Sequence, residues 1–241
     1  IVIAPSENMH MWIKFANLCR KSGRLGLAEK SLKQLIGSDA PLESMIPYWN
    51  ERPTAPGPRN TAAQVIYAVL KYQWELGQQP GYKLSGTAEK TLYCLRKFTN
   101  DAAHRLDIAR AHLSAQTGGD MGMATEYGFQ NQMDPSLMSP QTQRALYDQT
   151  VLLAKCYLRQ GEWLIALNKD DWQYTQVQDI LTSYSQATKY NPRWYKAWHA
   201  WALANFEIVQ ALSARNEGHL SRTDQAMVIE HVVPAVKGFF K

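Results

Sequence analysis

The stretch YNPRWYKAWHAWALANFE, Tyr190 to Glu207, decides the fold class. Trp194, Trp198 and Trp201 recur at i, i+4 and i+7, so on a helix they make one aromatic stripe, which Asn205 and Ile208 extend. Removing each such side chain from water is favourable by roughly 2 to 5 kcal/mol as an upper estimate, so the stripe is expected to be covered by a neighbouring element. Asn191-Pro192 sets the helix start, because proline is tolerated in a first turn and pushes its predecessor out of the α region. Ala197, Ala200, Ala202 and Ala204 stand between the large residues, and small side chains there let a second helix approach closely. The stretch reads as a helix built to pack on helices.

Working outward, the chain of 241 residues is long enough to bury a large core, and it runs straight into a helical pattern, so we read it as a segment of a longer polypeptide. Its hydrophobic fraction is 45% and its charged fraction 20%, with no run of about 18 apolar residues, so no membrane span is expected. No signal-peptide pattern opens the sequence. Cys19, Cys94 and Cys156 match no zinc spacing and cannot all pair with one another. Each lies in an apolar helical pattern, which predicts reduced core thiols in a cytoplasmic protein. The net charge of +5 permits an anionic partner but falls short of the dense basic stripe of a nucleic-acid binder.

Met9 to Ile36 reads as a helical hairpin. Trp12, Phe15, Ala16 and Cys19 mark one apolar face, Ser22-Gly23 the break, and Leu25, Ala28, Leu32 and Leu35 the second face, with Gly37 as a helix-ending residue. The order of residues resembles a tetratricopeptide unit, whose hairpins bury their apolar faces only by stacking. Residues 38 to 60 hold five of the 11 prolines and predict a surface loop without regular structure. A helix from about Thr61 to Gly77 follows, with Val65, Tyr67, Ala68, Leu70, Tyr72 and Trp74 apolar, then one from about Thr87 to His112. Residues 115 to 140 predict a second long loop. Its Gly118 to Gly122 has no preceding strand and no following Lys-Ser/Thr, so it is not a phosphate cradle. Gln141 to Gln160 predicts a helix closed by Gly161, with Trp163 to Leu167, Val177 to Tyr190 and Ala226 to Phe240 helical beyond it and Pro234 kinking or restarting the last. No period-2 strand pattern occurs. The predicted architecture is all-α, an α-α superhelix or solenoid of stacked hairpins.

Candidates for chemistry are few. His104, Asp107 and His112 share a helical side but lack a further carboxylate or thiol, so exposed surface residues are the expectation. His199, between Trp198 and Trp201, reads as a packed, hydrogen-bonded core histidine. No nucleophile elbow, kinase loop or paired carboxylates are found, so no catalytic and no metal residue is assigned. The cations say more. Lys14 and Lys21 project from one side of the first helix, Lys155 and Arg159 from one side of another, Lys71 interrupts an apolar helix, and Lys196 lies roughly 200° round from Trp194. If the hairpins stack, these six could converge on one concave wall where a polyanion would neutralise them; the alternative is a solvated face.

Four blocks carry a family resemblance: WIKFANLCRKSGRLGLAEK at 12–30, LLAKCYLRQGEW at 152–163, WYKAWHAWALANFE at 194–207 and VVPAVKGFF at 232–240. In order and spacing they resemble the FAT domain of the target-of-rapamycin (TOR) kinases, within the PI3K-related kinases, and the first block looks fungal in composition. The resemblance covers most of the chain outside the loops at about 38–60 and 115–140. It implies a non-catalytic solenoid of tetratricopeptide and HEAT type that clamps a serine/threonine kinase domain lying further along the same polypeptide. It also implies inositol hexakisphosphate in a lysine-lined pocket, for which the matching positions are Lys14, Lys21, Lys71, Lys155, Arg159 and Lys196. Glu75 departs from the animal pattern, which has a lysine there, and the section from Gln210 to Met227 is short beside the animal insert. The further implications are contacts with the kinase and FRB domains of the same chain and with TOR complex subunits, a dimeric parent complex in growth signalling, and a cytoplasmic parent peripheral at the vacuolar or lysosomal membrane. A free-standing tetratricopeptide-like adaptor with a peptide groove is the alternative, and an independent enzyme the third reading.

Overall fold

The computed structural model describes residues 8–49, 62–80, 86–116, 139–168, 174–215 and 221–240. Among them lie helices α1 (Met9–Lys21), α2 (Leu25–Ile36), α3 (Ala63–Gly77), α4 (Thr87–Gln116), α5 (Pro140–Leu167), α6 (Tyr174–Tyr190), α7 (Tyr195–Arg215) and α8 (Arg222–Phe239), with no strand. The all-α expectation holds. The chain divides into two compact units, the first formed by Ile1–Phe98 and Glu162–Gln173, the second by Thr99–Gly161 and Tyr174–Lys241.

In the first unit α1 and α2 form the expected hairpin, turning at Gly23 in a left-handed conformation (φ 75°). Gly37 ends α2 at φ 70°, where its N–H reaches the Lys33 carbonyl at 2.8 Å. Ala16, Cys19, Ala28 and Leu32 are buried between α1, α2 and α3, whereas Phe15 is exposed. The face of α3 was legible: Val65, Tyr67, Ala68, Leu70, Tyr72 and Trp74 are all buried. Trp74 stacks on Trp163 of α5, ring centroids 4.4 Å apart and planes 6° apart. The loop expected at about 38–60 needs correction. Leu42–Met45 form a 3₁₀ helix, entered from Pro41, and bury Leu42 and Ile46. A single 3₁₀ turn needs few residues, so proline density around it does not prevent it. Residues 50–60 lie outside the described set, as do 117–138 of the second expected loop, and α4 runs past His112 to Gln116.

In the second unit α6 packs on α7 and α7 on α8. Gly161 does not close α5, which continues to Leu167. A Cβ on Gly161 would meet the Tyr184 ring of α6 at 2.3 Å, so the glycine makes room for a buried aromatic ring rather than for a chain reversal. Pro234 does not restart the last helix either, since α8 runs through it. The aromatic stripe of α7 is the main revision. Trp194, Trp198 and Trp201 are half-buried, and the fully covered positions are Ala197, Ala202, Ala204 and Asn205. The small residues form the seam because they admit α8 to backbone range: a Cβ on Gly238 would lie 2.7 Å from the Ala202 methyl. Trp198 instead donates its indole N–H to the Pro192 carbonyl at 2.8 Å and meets Trp201 edge-on at 5.7 Å. Cys19, Cys94 and Cys156 are all buried and form no disulfide among the described residues, and burial pushes the Cys94 thiol up to about 11.

Candidate functional site

Three of the six basic residues singled out by spacing belong to the first unit. Lys14 and Lys21 are exposed on α1, and Asn17 lies between them at i+3 from Lys14 and i+4 to Lys21, so the three share one side of the helix. Lys71, half-buried on α3, donates from Nζ to Asn17 Oδ1 at 2.7 Å and lies 4.6 Å over the Tyr67 ring. That bond brings a third ammonium group to the side of α1 that carries Lys14 and Lys21. Among the described residues neither Lys14 nor Lys21 forms an ion pair. Like charges gathered in this way repel one another and favour an anion that several can contact at once.

Glu75 follows Lys71 by one turn of α3. Its carboxylate accepts from the Arg20 guanidinium, which is buried on α1. The negative charge at this position is therefore held by Arg20 rather than left facing Lys71. The α1–α3 seam thus carries two polar bridges, Arg20 to Glu75 and Lys71 to Asn17, a turn apart on both helices.

The other three basic residues belong to the second unit. Lys155 is exposed and Arg159 half-buried, one turn apart on α5, and Lys196 is exposed in the first turn of α7. Tyr157, on the opposite side of α5 from Lys155 and Arg159, stacks on Tyr190 with ring centroids 5.5 Å apart. Burial, reinforced by Tyr190, pushes the Tyr157 phenol up to about 12, so it stays neutral and able to donate.

Of the remaining candidates, the α4 set lies as expected and His199 does not. His104, Asp107 and His112 are exposed on α4, and no group of three or more His, Cys, Asp or Glu among the described residues is placed to hold a metal ion. His199 is exposed and lies edge-on to Phe239 at 5.8 Å, not packed in a core. Among the described residues the buried histidine is His231 on α8, 2.9 Å through Nδ1 from Asn205 Oδ1. A histidine beside Val232 and Val233 gives no periodic signal that separates a buried position from an exposed one; only the partner residue on α7 does.

Comparison with known proteins adds the lineage. A family model described as FAT domain matches residues 1–241. Serine/threonine-protein kinase TOR2 of Saccharomyces cerevisiae is 32% identical over 268 residues, which takes in 100% of this chain and 9% of that protein. Serine/threonine-protein kinase tor1 of Schizosaccharomyces pombe is 31% identical over 244 residues, 100% of this chain and 8% of that one. Serine/threonine-protein kinase mTor of Drosophila melanogaster is 30% identical over 254 residues, with 100% and 8% covered. The chain therefore spans less than a tenth of the length of these relatives.

Proposed function

Because the chain belongs to the FAT domain family in the form carried by TOR kinases, we propose that it is a non-catalytic scaffold segment of a TOR-type serine/threonine kinase that supports the kinase domain and holds inositol hexakisphosphate. The observation that carries the ligand half of this reading is the gathering of Lys14, Lys21 and Lys71 about Asn17, with the nearby Glu75 carboxylate engaged by Arg20. The family resemblance adds Lys155, Arg159 and Lys196, which belong to the second unit, to the expected set. A ligand bearing many phosphates pairs with several ammonium and guanidinium groups through charge-assisted hydrogen bonds, each stronger than a neutral one. The scaffold half is supported by the helical hairpins and by relatives that are all named as serine/threonine kinases. On this reading the kinase and FRB domains of the same polypeptide and the TOR complex subunits are its partners. The parent is dimeric and cytoplasmic, peripheral at a vacuolar or lysosomal membrane. No helix among the described residues is long and apolar enough to cross a membrane.

The test uses the full-length protein. Inositol hexakisphosphate at 100 times its Kd should stabilise the folded chain by about 2.7 kcal/mol through mass action, and the effect should shrink steeply with salt. Lys155→Glu with Arg159→Glu reverses two charges on one helical side and should abolish the thermal shift while helical content stays unchanged. An unaltered shift in that double variant takes Lys155 and Arg159 out of the site, and no shift in the parent protein removes the ligand half of the reading.

A further inference from the structure

A cleft of about 330 Å³ lies in the second unit, lined by residues of α6, α7 and α8. Its charged lining is balanced: Lys189 comes from α6 and Glu230 from α8. Both are exposed and line the same cleft, and among the described residues neither is in an ion pair. Trp201 and Pro234 supply an apolar wall. His231, 4% exposed, also lines the cleft.

The proton on His231 can be placed. The Asn205 amide N–H donates to the Trp201 carbonyl at 2.7 Å, which turns Oδ1 toward His231 Nδ1 at 2.9 Å. An amide oxygen only accepts, so Nδ1 carries the hydrogen, and in the neutral ring Nε2 is left as a lone-pair acceptor. Burial holds this imidazole below its ordinary range, in keeping with a neutral ring. Next to Glu230, Nε2 makes the α8 wall a site for a cationic donor, while Lys189 makes the α6 wall a site for an anion.

We propose that this cleft binds a small zwitterion, a molecule with one ammonium group held by Glu230 and His231 Nε2 and one carboxylate held by Lys189, its carbon chain lying on Trp201 and Pro234. The volume suits such a molecule, standing at the small end of the roughly 300 to 1,000 Å³ typical of ligand cavities. The balanced lining disfavours a polyanion, which Glu230 would repel. The cleft is therefore a different kind of site from the lysine cluster on α1 and α3, and the proposal stands whether or not that cluster holds inositol hexakisphosphate.

The test is carbethoxylation of His231 by diethyl pyrocarbonate in the full-length protein, followed by peptide mass spectrometry, with 6-aminohexanoate as the probe. A ligand at ten times its Kd leaves about one site in eleven free, so modification of His231 should slow about tenfold. Hexylamine carries the same primary amine, consumes reagent alike and should give less than about twofold protection, as should hexanoate. Lys189→Gln should remove the protection by 6-aminohexanoate and leave the unprotected rate unchanged. Equal protection by hexylamine or hexanoate, or full protection retained in Lys189→Gln, overturns the proposal. So does a His231 that is unreactive without any probe, because Nε2 would then not face the cleft.

Discussion

Replacing Gly161 by alanine sets two effects of similar size against each other. In the interior of an exposed helix the change stabilises by about 1 kcal/mol, since glycine loses more backbone freedom and alanine is the best helix former. In α5 the added methyl would sit 2.3 Å from one ring carbon of Tyr184 and 2.7 Å from two others. The ring is 3% exposed and must retreat by about 1 Å to restore ordinary contact, within a core packed as densely as an organic crystal. Overpacking of this kind costs about 1 to 3 kcal/mol, and the contact here is at the severe end, so the net expectation is a loss of about 1 to 2 kcal/mol. Urea denaturation followed by far-UV circular dichroism reads this as a lower midpoint at unchanged slope. The double variant Gly161→Ala, Tyr184→Leu supplies the control: with the ring gone, the alanine should cost about 0.5 kcal/mol or more less than it does alone. A stabilising Gly161→Ala would refute the reasoning and make Gly161 an ordinary interior glycine of α5.

Three further outcomes are expected. Trp198→Ala should cost about 1 to 2 kcal/mol, below the 3 to 5 typical of a fully buried aromatic, because the indole is half-buried and part of its hydrogen bonding can pass to water; a loss in the full core range in urea denaturation would mean that the ring is covered. Glu75→Gln should destabilise by about 1 to 2 kcal/mol by weakening the partner of the buried Arg20 guanidinium, a figure discounted because the carboxylate is more than a third exposed; Arg20→Met combined with Glu75→Gln should recover part of the loss, and a larger loss in the double variant counts against the pair. His231 is held below its ordinary value near 6.5 by burial, with the Glu230 charge opposing. The folded state then binds fewer protons than the unfolded one below that value, so its contribution is fully present above pH 6.5 and is lost as pH falls toward the lower folded value. Comparing His231→Gln with the parent across pH 5 to 8 checks this, and an identical pH dependence of the two would count against a buried neutral imidazole.

Helix positions and hairpin order were legible because they depend on local properties: the 3.6-residue period, Gly37 and Gly23 as turn residues, and the apolar face of α3. What was not legible depends on partners distant in sequence. Gly161 looks the same whether its missing Cβ serves the backbone or a ring 23 positions away, and only the placement of Tyr184 decides. The tryptophans of α7 dominate any reading by size, yet helix approach is limited by the closest atoms, so the alanines take the seam and the large rings are left at its margin. In the basic cluster the i, i+7 spacing of Lys14 and Lys21 could be read directly. The Asn17 bond to Lys71 and the Arg20 partner of Glu75 join α1 to α3 across a gap in sequence that no periodicity spans. Histidine failed for the same reason, since the exposure of His199 and the burial of His231 follow from how α7 and α8 pack on each other and not from their own sequence neighbours.

The stacking of Trp74 on Trp163 has a consequence for synthesis. The first unit draws on Ile1–Phe98 and then again on Glu162–Gln173, so it is not complete when its first portion leaves the ribosome. At about 5 to 20 residues per second, Trp163 is made roughly 5 to 20 s after Trp74, and for that interval the apolar surface of α3 lacks one of its covering rings. Rare codons between the two positions would lengthen the exposure, so slower translation of residues 75–162 is expected to lower the yield of folded protein.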